Sequence, residues 1–124
     1  MIDRYARRMV IENTIADAID FFHMDALSAA VPLRVDFDVQ LTLMASSLYR
    51  LLGLRVGEGF ATAKARTIFD KLVRATGHIE ITATEIVVSL GRRANNPLLL
   101  AAGYADLREP LPWLDNRTLR LRFF

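Results

Sequence analysis

The chain has 124 residues, no cysteine and a formal net charge of +2, which limits it to one domain and excludes disulfides and thiolate metal sites. Hydrophobic residues make up 52% of it. Charged and polar residues, among them Ser46, Arg50 and Arg55, interrupt the longest apolar stretch, so no segment has the roughly 20 apolar residues that a membrane helix needs. The composition predicts a cytoplasmic chain with unusually apolar surfaces, as in a piece cut from a larger protein.

The first predicted helix contains Tyr5, Arg8 and Glu12 at positions i, i+3 and i+7. These side chains project from one side of the helix, within roughly 60°. The other faces are almost entirely apolar, which predicts a buried helix; their apolar residues are Ile2, Met9, Val10, Ile11, Ile15, Ile19 and Phe22. A carboxylate on a buried helix must be paired or bind a metal, so Glu12 is the leading candidate site residue. A solvated ion pair with Arg8 is the alternative.

Two further helices are predicted in the middle of the chain. Pro32 disfavours helix in the residue before it and marks a break. Asp36 or Asp38 is predicted to cap the second helix, and Gly53, Gly57 and Gly59 are predicted to end it and form a flexible link. Its apolar stripe contains Leu41, Met44, Leu48, Leu51 and Leu52. The third helix is predicted from about residue 62 to residue 74, with Gly77 as its stop.

The last third of the chain predicts strands and one short helix. Residues 78–82 and 85–90 form a hairpin, and the first strand alternates apolar and polar residues. Asn96 and Pro97 open a fourth helix, which Gly103 closes. An alternating strand follows near the end of the chain, with Leu119, Leu121 and Phe123 on one face. The predicted class is α+β, with about four helices, a small antiparallel β hairpin and a C-terminal strand.

The spacing of Tyr5, Arg8 and Glu12 resembles the Y-x2-R-x3-E-x6-K signature of DDE-type insertion-sequence transposases. Asn13 after the glutamate is also common in that family, whereas Ile19 occupies the place of the usual lysine. The resemblance continues through residues 20–27 and in the tail, in Arg93-Ala-Asn-Asn-Pro97, Pro112-Trp113-Leu114 and Leu119-Arg-Leu-Arg-Phe123.

The resemblance implies that the chain is the C-terminal part of an RNase H-like transposase domain. Glu12 would be the catalytic and metal-ligating glutamate, the third acid holding two Mg²⁺ (or Mn²⁺) ions for phosphodiester hydrolysis and strand transfer. Tyr5, Arg8 and Asn13 would contact DNA at the transposon ends. The two catalytic aspartates would lie on the missing N-terminal part of the transposase, so residues 1–124 form one partial domain without activity of its own.

Arginines in the C-terminal half suggest a second contact with DNA. Arg92, Arg93, Arg117, Arg120 and Arg122 are predicted to form a basic strip along the hairpin and the last strand, with Arg120 and Arg122 as candidate DNA-binding residues. Solvated strand faces are the alternative explanation.

Two other functions stay open. The chain could be a non-catalytic DNA-binding or regulatory remnant, or a self-contained interaction domain in which Arg8 and Glu12 form an ion pair. Apolar side chains that the missing part leaves uncovered would face water or a second copy, which makes a homo-oligomer a further expected partner.

Overall fold

A computed structural model of the protein describes residues 2–26 and 32–124, with side chains described from residue 7 onward. Its helices are α1 (Ile2–Phe22), α2 (Pro32–Val56), α3 (Ala65–Ile68), which continues as a π-helical turn (Phe69–Val73), and α4 (Asn96–Ala101). Its strands are β1 (Gly77–Ile81), β2 (Glu85–Leu90), β3 (Glu109–Leu111) and β4 (Arg117–Phe123). The predicted α+β class, the hairpin and the C-terminal strand are confirmed. In the described ranges, no helix is both long enough and apolar enough to cross a membrane.

The four strands form one mixed sheet in the order β1-β2-β4-β3. The predicted hairpin pairs β1 with β2 antiparallel, whereas β2 and β4 pair in parallel. A parallel pair needs a long crossover, and the segment from Gly91 to Asn116 supplies it through α4 and β3. Ile86 and Val87, consecutive residues of β2 that point to opposite faces of the sheet, are both buried.

The edge strand β3 and the parallel pairing were not predicted. β3 has only three residues, and Pro110 lies at its centre. A proline lacks the N–H of a sheet ladder and is tolerated on an edge strand. Such a short segment leaves no alternating pattern in the sequence.

The second helix begins earlier than predicted and ends within the predicted group of glycines, at Val56 before Gly57. It begins at Pro32, where the missing proline N–H costs nothing, so the prediction of a cap at Asp36 or Asp38 is wrong. Asp36 instead accepts a hydrogen bond from Gln40 within the helix, at 3.2 Å. The helix also continues through Gly53, and a Cβ there would lie 2.4 Å from the carbonyl oxygen of Phe60. Gly53 is therefore a contact point between α2 and the following turn.

Gly77 does not end the third helix as predicted. The helical turns finish at Val73, and Gly77 is the first residue of β1. A Cβ on Gly77 would lie 2.6 Å from the carbonyl oxygen of Ser89. Glycine is needed here because the two strand backbones approach closely.

The buried core lies where the C-terminal end of α2 meets α3 and α4. It consists of Val56, Phe60, Ile68, Leu72 and Leu99. The core and the segments that surround it, from the C-terminal end of α2 onward, are called the body below. The C-terminal half of α1 packs against this body through aromatic contacts. The ring centroid of Phe21 lies 5.4 Å from that of Tyr49 on α2 and 5.6 Å from that of Phe69.

A polar junction made by Arg93 and Asn96 ties the body together. Arg93 Nη1 donates to the carbonyl oxygens of Leu72 and Arg74, each at 3.0 Å, and its Nε donates to Asn96 Oδ1 at 3.1 Å. The buried Asn96 donates to the main-chain oxygen of Gly91 at 3.0 Å and to that of Phe124 at 3.4 Å. Two side chains thus connect the end of the π-helical turn, the exit of β2, the start of α4 and the end of the chain.

We predict that Arg93→Ala lowers the free energy of unfolding by about 2 kcal/mol, because hydrogen bonds from a charged donor contribute roughly 1.5–3 kcal/mol. The neighbouring Arg92 is exposed and gives a matched control. Arg92→Ala should change the unfolding free energy by less than about 0.5 kcal/mol. Urea denaturation of the two variants checks this, and equal losses would contradict the structural role of Arg93.

Candidate functional site

The N-terminal half of α1 carries the predicted glutamate site and is solvent-exposed from residue 7 to residue 16. Arg8 Nε donates to Glu12 Oε1 at 2.9 Å, and the two side chains are 75% and 60% exposed. The prediction of a buried helix is therefore wrong for residues 7–16, whereas Ala18 further along the helix is buried. Glu12 forms a solvated i, i+4 ion pair with Arg8, which was the predicted alternative to a buried carboxylate.

Among the described residues, the structure gives no side-chain contact for the other two predicted residues of this helix, Tyr5 and Asn13. Tyr5 lies in α1, but its side chain is outside the described residues. Asn13 is exposed, next to Glu12. The described part of the site therefore consists of Arg8, Glu12 and Asn13 on an open helical surface.

One line of side chains on α1 changes from uncovered to covered along the helix. Ile11, Ile15, Ala18 and Phe22 are spaced by four, three and four residues, which places them on one face. Ala18 is buried and Phe22 half-buried, whereas Ile11 and Ile15 are 59% and 48% exposed. The face that docks the helix on the body therefore continues, without a neighbour among the described residues, toward the glutamate.

Asp17 fixes the position of α1 against α3. Its Oδ2 accepts a hydrogen bond from the backbone N–H of Ala65 at 2.9 Å, at the first residue of α3. A carboxylate at a helix N-terminus pairs with an unsatisfied backbone N–H. Asp17 therefore caps the start of a neighbouring element of the fold.

The predicted basic strip on the sheet is smaller than expected. Arg93 belongs to the polar junction described above, and Arg117 lies 3.6 Å from the carboxylate of Asp115. Arg120 is half-buried, with Nη1 3.4 Å from Glu85 Oε2. Arg122 is exposed on the same face of β4, two residues further on. Arg122 and the exposed part of Arg120 remain available to a ligand.

The described residues contain no group of three or more histidine, aspartate or glutamate side chains that could hold a metal ion. Glu12 is thus a single carboxylate, already paired with Arg8. One acid does not satisfy Mg²⁺ or Mn²⁺, which take several oxygen ligands. The side chains described in this chain do not fit a two-metal centre by themselves.

Comparison with models of known protein families gave no match, and comparisons with characterised proteins and with solved structures gave no significant similarity.

Sequence reasoning missed the role of Arg93 and Asn96, which it assigned to a basic strip and to a helix start. A signal was present, because an asparagine next to a proline at a helix start is a candidate for side-chain bonding to main-chain groups. The hydrogen bond from Arg93 to Leu72 could not be predicted from the local sequence, because the two residues are 21 positions apart.

We predict that the isolated chain shows no tight, stoichiometric binding of Mg²⁺ or Mn²⁺, because Glu12 is paired with Arg8 and belongs to no group of three possible ligands among the described residues. Isothermal titration calorimetry of the wild-type chain and of Glu12→Gln should give the same weak or absent heat. Tight binding that Glu12→Gln abolishes would mean that this chain holds a complete site.

Proposed function

We propose that this chain is the C-terminal part of a DDE-type insertion-sequence transposase, with α1 as the helix that carries the glutamate of an RNase H-like domain. The observation that carries the proposal is the uncovered N-terminal half of α1, which bears Arg8 and Glu12. The transposase motif supplies the family. A cytoplasmic location and DNA as partner follow from it.

The geometry of α1 supports a missing neighbour. Ile11 and Ile15 continue the line that docks the helix, and Glu12 lies about 60° from Ile15 around the helix axis. A surface that covered Ile11 and Ile15 would therefore extend to the side of the helix that carries Glu12. In the proposed full-length protein, this surface is the sheet that carries the two aspartates.

The chain by itself is proposed to be inactive. Two-metal phosphodiester chemistry needs carboxylates on both ions, and the described residues supply no such group. Completion of the site would have to come from the N-terminal part of the transposase. Glu12 is proposed as this chain's one contribution to it.

DNA contacts are proposed for the same helix and for the last strand. Exposed ion pairs contribute only about 0–1 kcal/mol, so Arg8 can exchange the carboxylate of Glu12 for a phosphate at small cost. Arginine can bind a phosphate with two parallel hydrogen bonds. Arg122 is exposed and Arg120 partly so, and Tyr5 and Asn13 complete the proposed set.

A self-contained interaction domain is the second candidate function. The observation that favours it is the large exposed apolar surface of α2, on which Phe37, Met44 and Leu48 are each at least 60% exposed. Such a surface is typical of a binding site for another protein. This candidate predicts no salt-dependent binding to DNA.

We predict that the chain binds duplex DNA of unrelated sequences with similar affinity and that Arg8→Ala and Arg122→Ala each reduce the slope of log affinity against log salt by about one. Arg120→Ala should have a smaller effect, because Glu85 already neutralises part of its charge. Fluorescence anisotropy at several salt concentrations measures both quantities.

Arg66→Ala is the matched control for these variants. Arg66 pairs with Asp70 on α3 at 3.0 Å and lies on neither proposed DNA surface, so its loss should leave the salt slope unchanged. DNA affinity that is insensitive to Arg8, Arg120 and Arg122 together would remove the DNA-binding proposal and favour the interaction domain.

A further inference from the structure

A row of apolar side chains runs along the exposed side of α2. This α2 row consists of Phe37, Leu41, Met44, Leu48 and Leu51, which are between 47% and 65% exposed. The five residues are spaced by four, three, four and three positions, so they lie within an arc of roughly 80° on the helix. Large exposed apolar surfaces are rare on soluble monomers and mark binding sites.

The α2 row lies on a different face from the one that packs on the body. Gly53 and Val56 are buried and Tyr49 is half-buried on the inner face. The side of α2 that lies near Thr14 of α1 carries Ser46 and Arg50. On the helix these positions are well over 90° from the centre of the row. At its edges the row reaches α1, since Leu41 lines a shallow pocket with Phe22 and Leu51 lines one with Thr14. Both leucines are still 47% exposed, so the row stays accessible along its length.

The spacing of the α2 row fits another helix. Alternating steps of three and four residues are those of the a and d positions in a helix pair, where each side chain inserts between four residues of the partner. The helix has 25 residues and is about 37 Å long. A second copy of α2 offers a row of the same length and spacing.

Charges at the two ends of the row select the direction of such a pair. Arg34 and Arg55 continue the same spacing before Phe37 and after Leu51, and both are exposed. In a parallel pair each arginine would face its own copy, and like charges in register are unfavourable. In an antiparallel pair Arg55 of one copy lies opposite Phe37 of the other, beside the carboxylate of Asp36. The surface is therefore complementary to itself in the antiparallel direction.

The area of the row sets the strength of the association. Five half-exposed side chains of this size cover roughly 500 Å² per copy, less than the ~800 Å² that each partner gives to a standard interface. This area fits a reversible dimer that dissociates on dilution.

From these observations we propose that the α2 row is the interface of an antiparallel homodimer of this chain. The partner is a second copy, joined through α2 alone. This interface is independent of the proposed DNA function, since Arg8, Arg120 and Arg122 lie outside it.

Sedimentation equilibrium of Leu48→Glu and Leu43→Glu tests the interface. Both residues are exposed leucines of α2, at 65% and 55%, and only Leu48 belongs to the row. We expect a monomer–dimer equilibrium for the wild-type chain, at least a tenfold weaker dimer for Leu48→Glu and no change for Leu43→Glu. Circular dichroism should give the same helix content for all three. A monomeric wild-type chain, or equal weakening by both variants, would overturn the proposal.

The direction of the pair is tested by one spin label. The chain has no cysteine, so Leu54→Cys, which lies beside the row, takes a single label per copy. In the antiparallel pair the two labelled positions are separated by about 24 Å along the helix axis. In a parallel pair they face each other across adjacent helices, whose axes are ~8–10 Å apart. A double electron–electron resonance distance in the shorter range would refute the antiparallel arrangement.

Discussion

The fold depends most on the polar junction in which Arg93 and Asn96 bond to four main-chain oxygens from three segments. The two ends of the parallel pair β2–β4 are brought together there, because Asn96 donates both to Gly91 and to Phe124. Arg93 adds the end of the π-helical turn through Leu72 and Arg74. The chain has a small buried core, and charge-assisted hydrogen bonds to carbonyl groups that would otherwise lack donors are correspondingly important to it.

The rest of the molecule is arranged around this body and is progressively less covered with distance from it. The C-terminal half of α1 is held by aromatic contacts and by the hydrogen bond from Ala65 to Asp17. Its N-terminal half, with Arg8 and Glu12, has no neighbour in the described part of the chain that buries it. The same holds for the outer face of α2. Most of the exposed large apolar side chains in the described residues lie on these two helices, and we propose a different partner for each.

Periodicity in the sequence predicted the elements that depend on local pattern. The hairpin of β1 and β2, the strand β4 and the helix at Asn96 were all found, because alternation, proline and a closing glycine act over a few residues. The predicted cap of α2 at Asp36 or Asp38 was wrong because the helix begins at Pro32. Of the glycines predicted to end α2, Gly53 instead serves a tertiary contact with Phe60. Strand β3 and the parallel pairing depend on distant partners and leave no local pattern. Burial of Glu12 was inferred from apolar neighbours, and apolar neighbours cannot distinguish a covered face from one that lacks its partner.

The central proposal is that α1 and the segments after it belong to a longer transposase. Sequencing the genomic DNA immediately upstream of the Met1 codon tests it most directly. The account predicts coding sequence with two aspartates on strand-like apolar runs, in the same frame or in one disrupted by a recent mutation. An upstream region without such a coding sequence in any frame would contradict the proposal and leave a self-contained interaction domain.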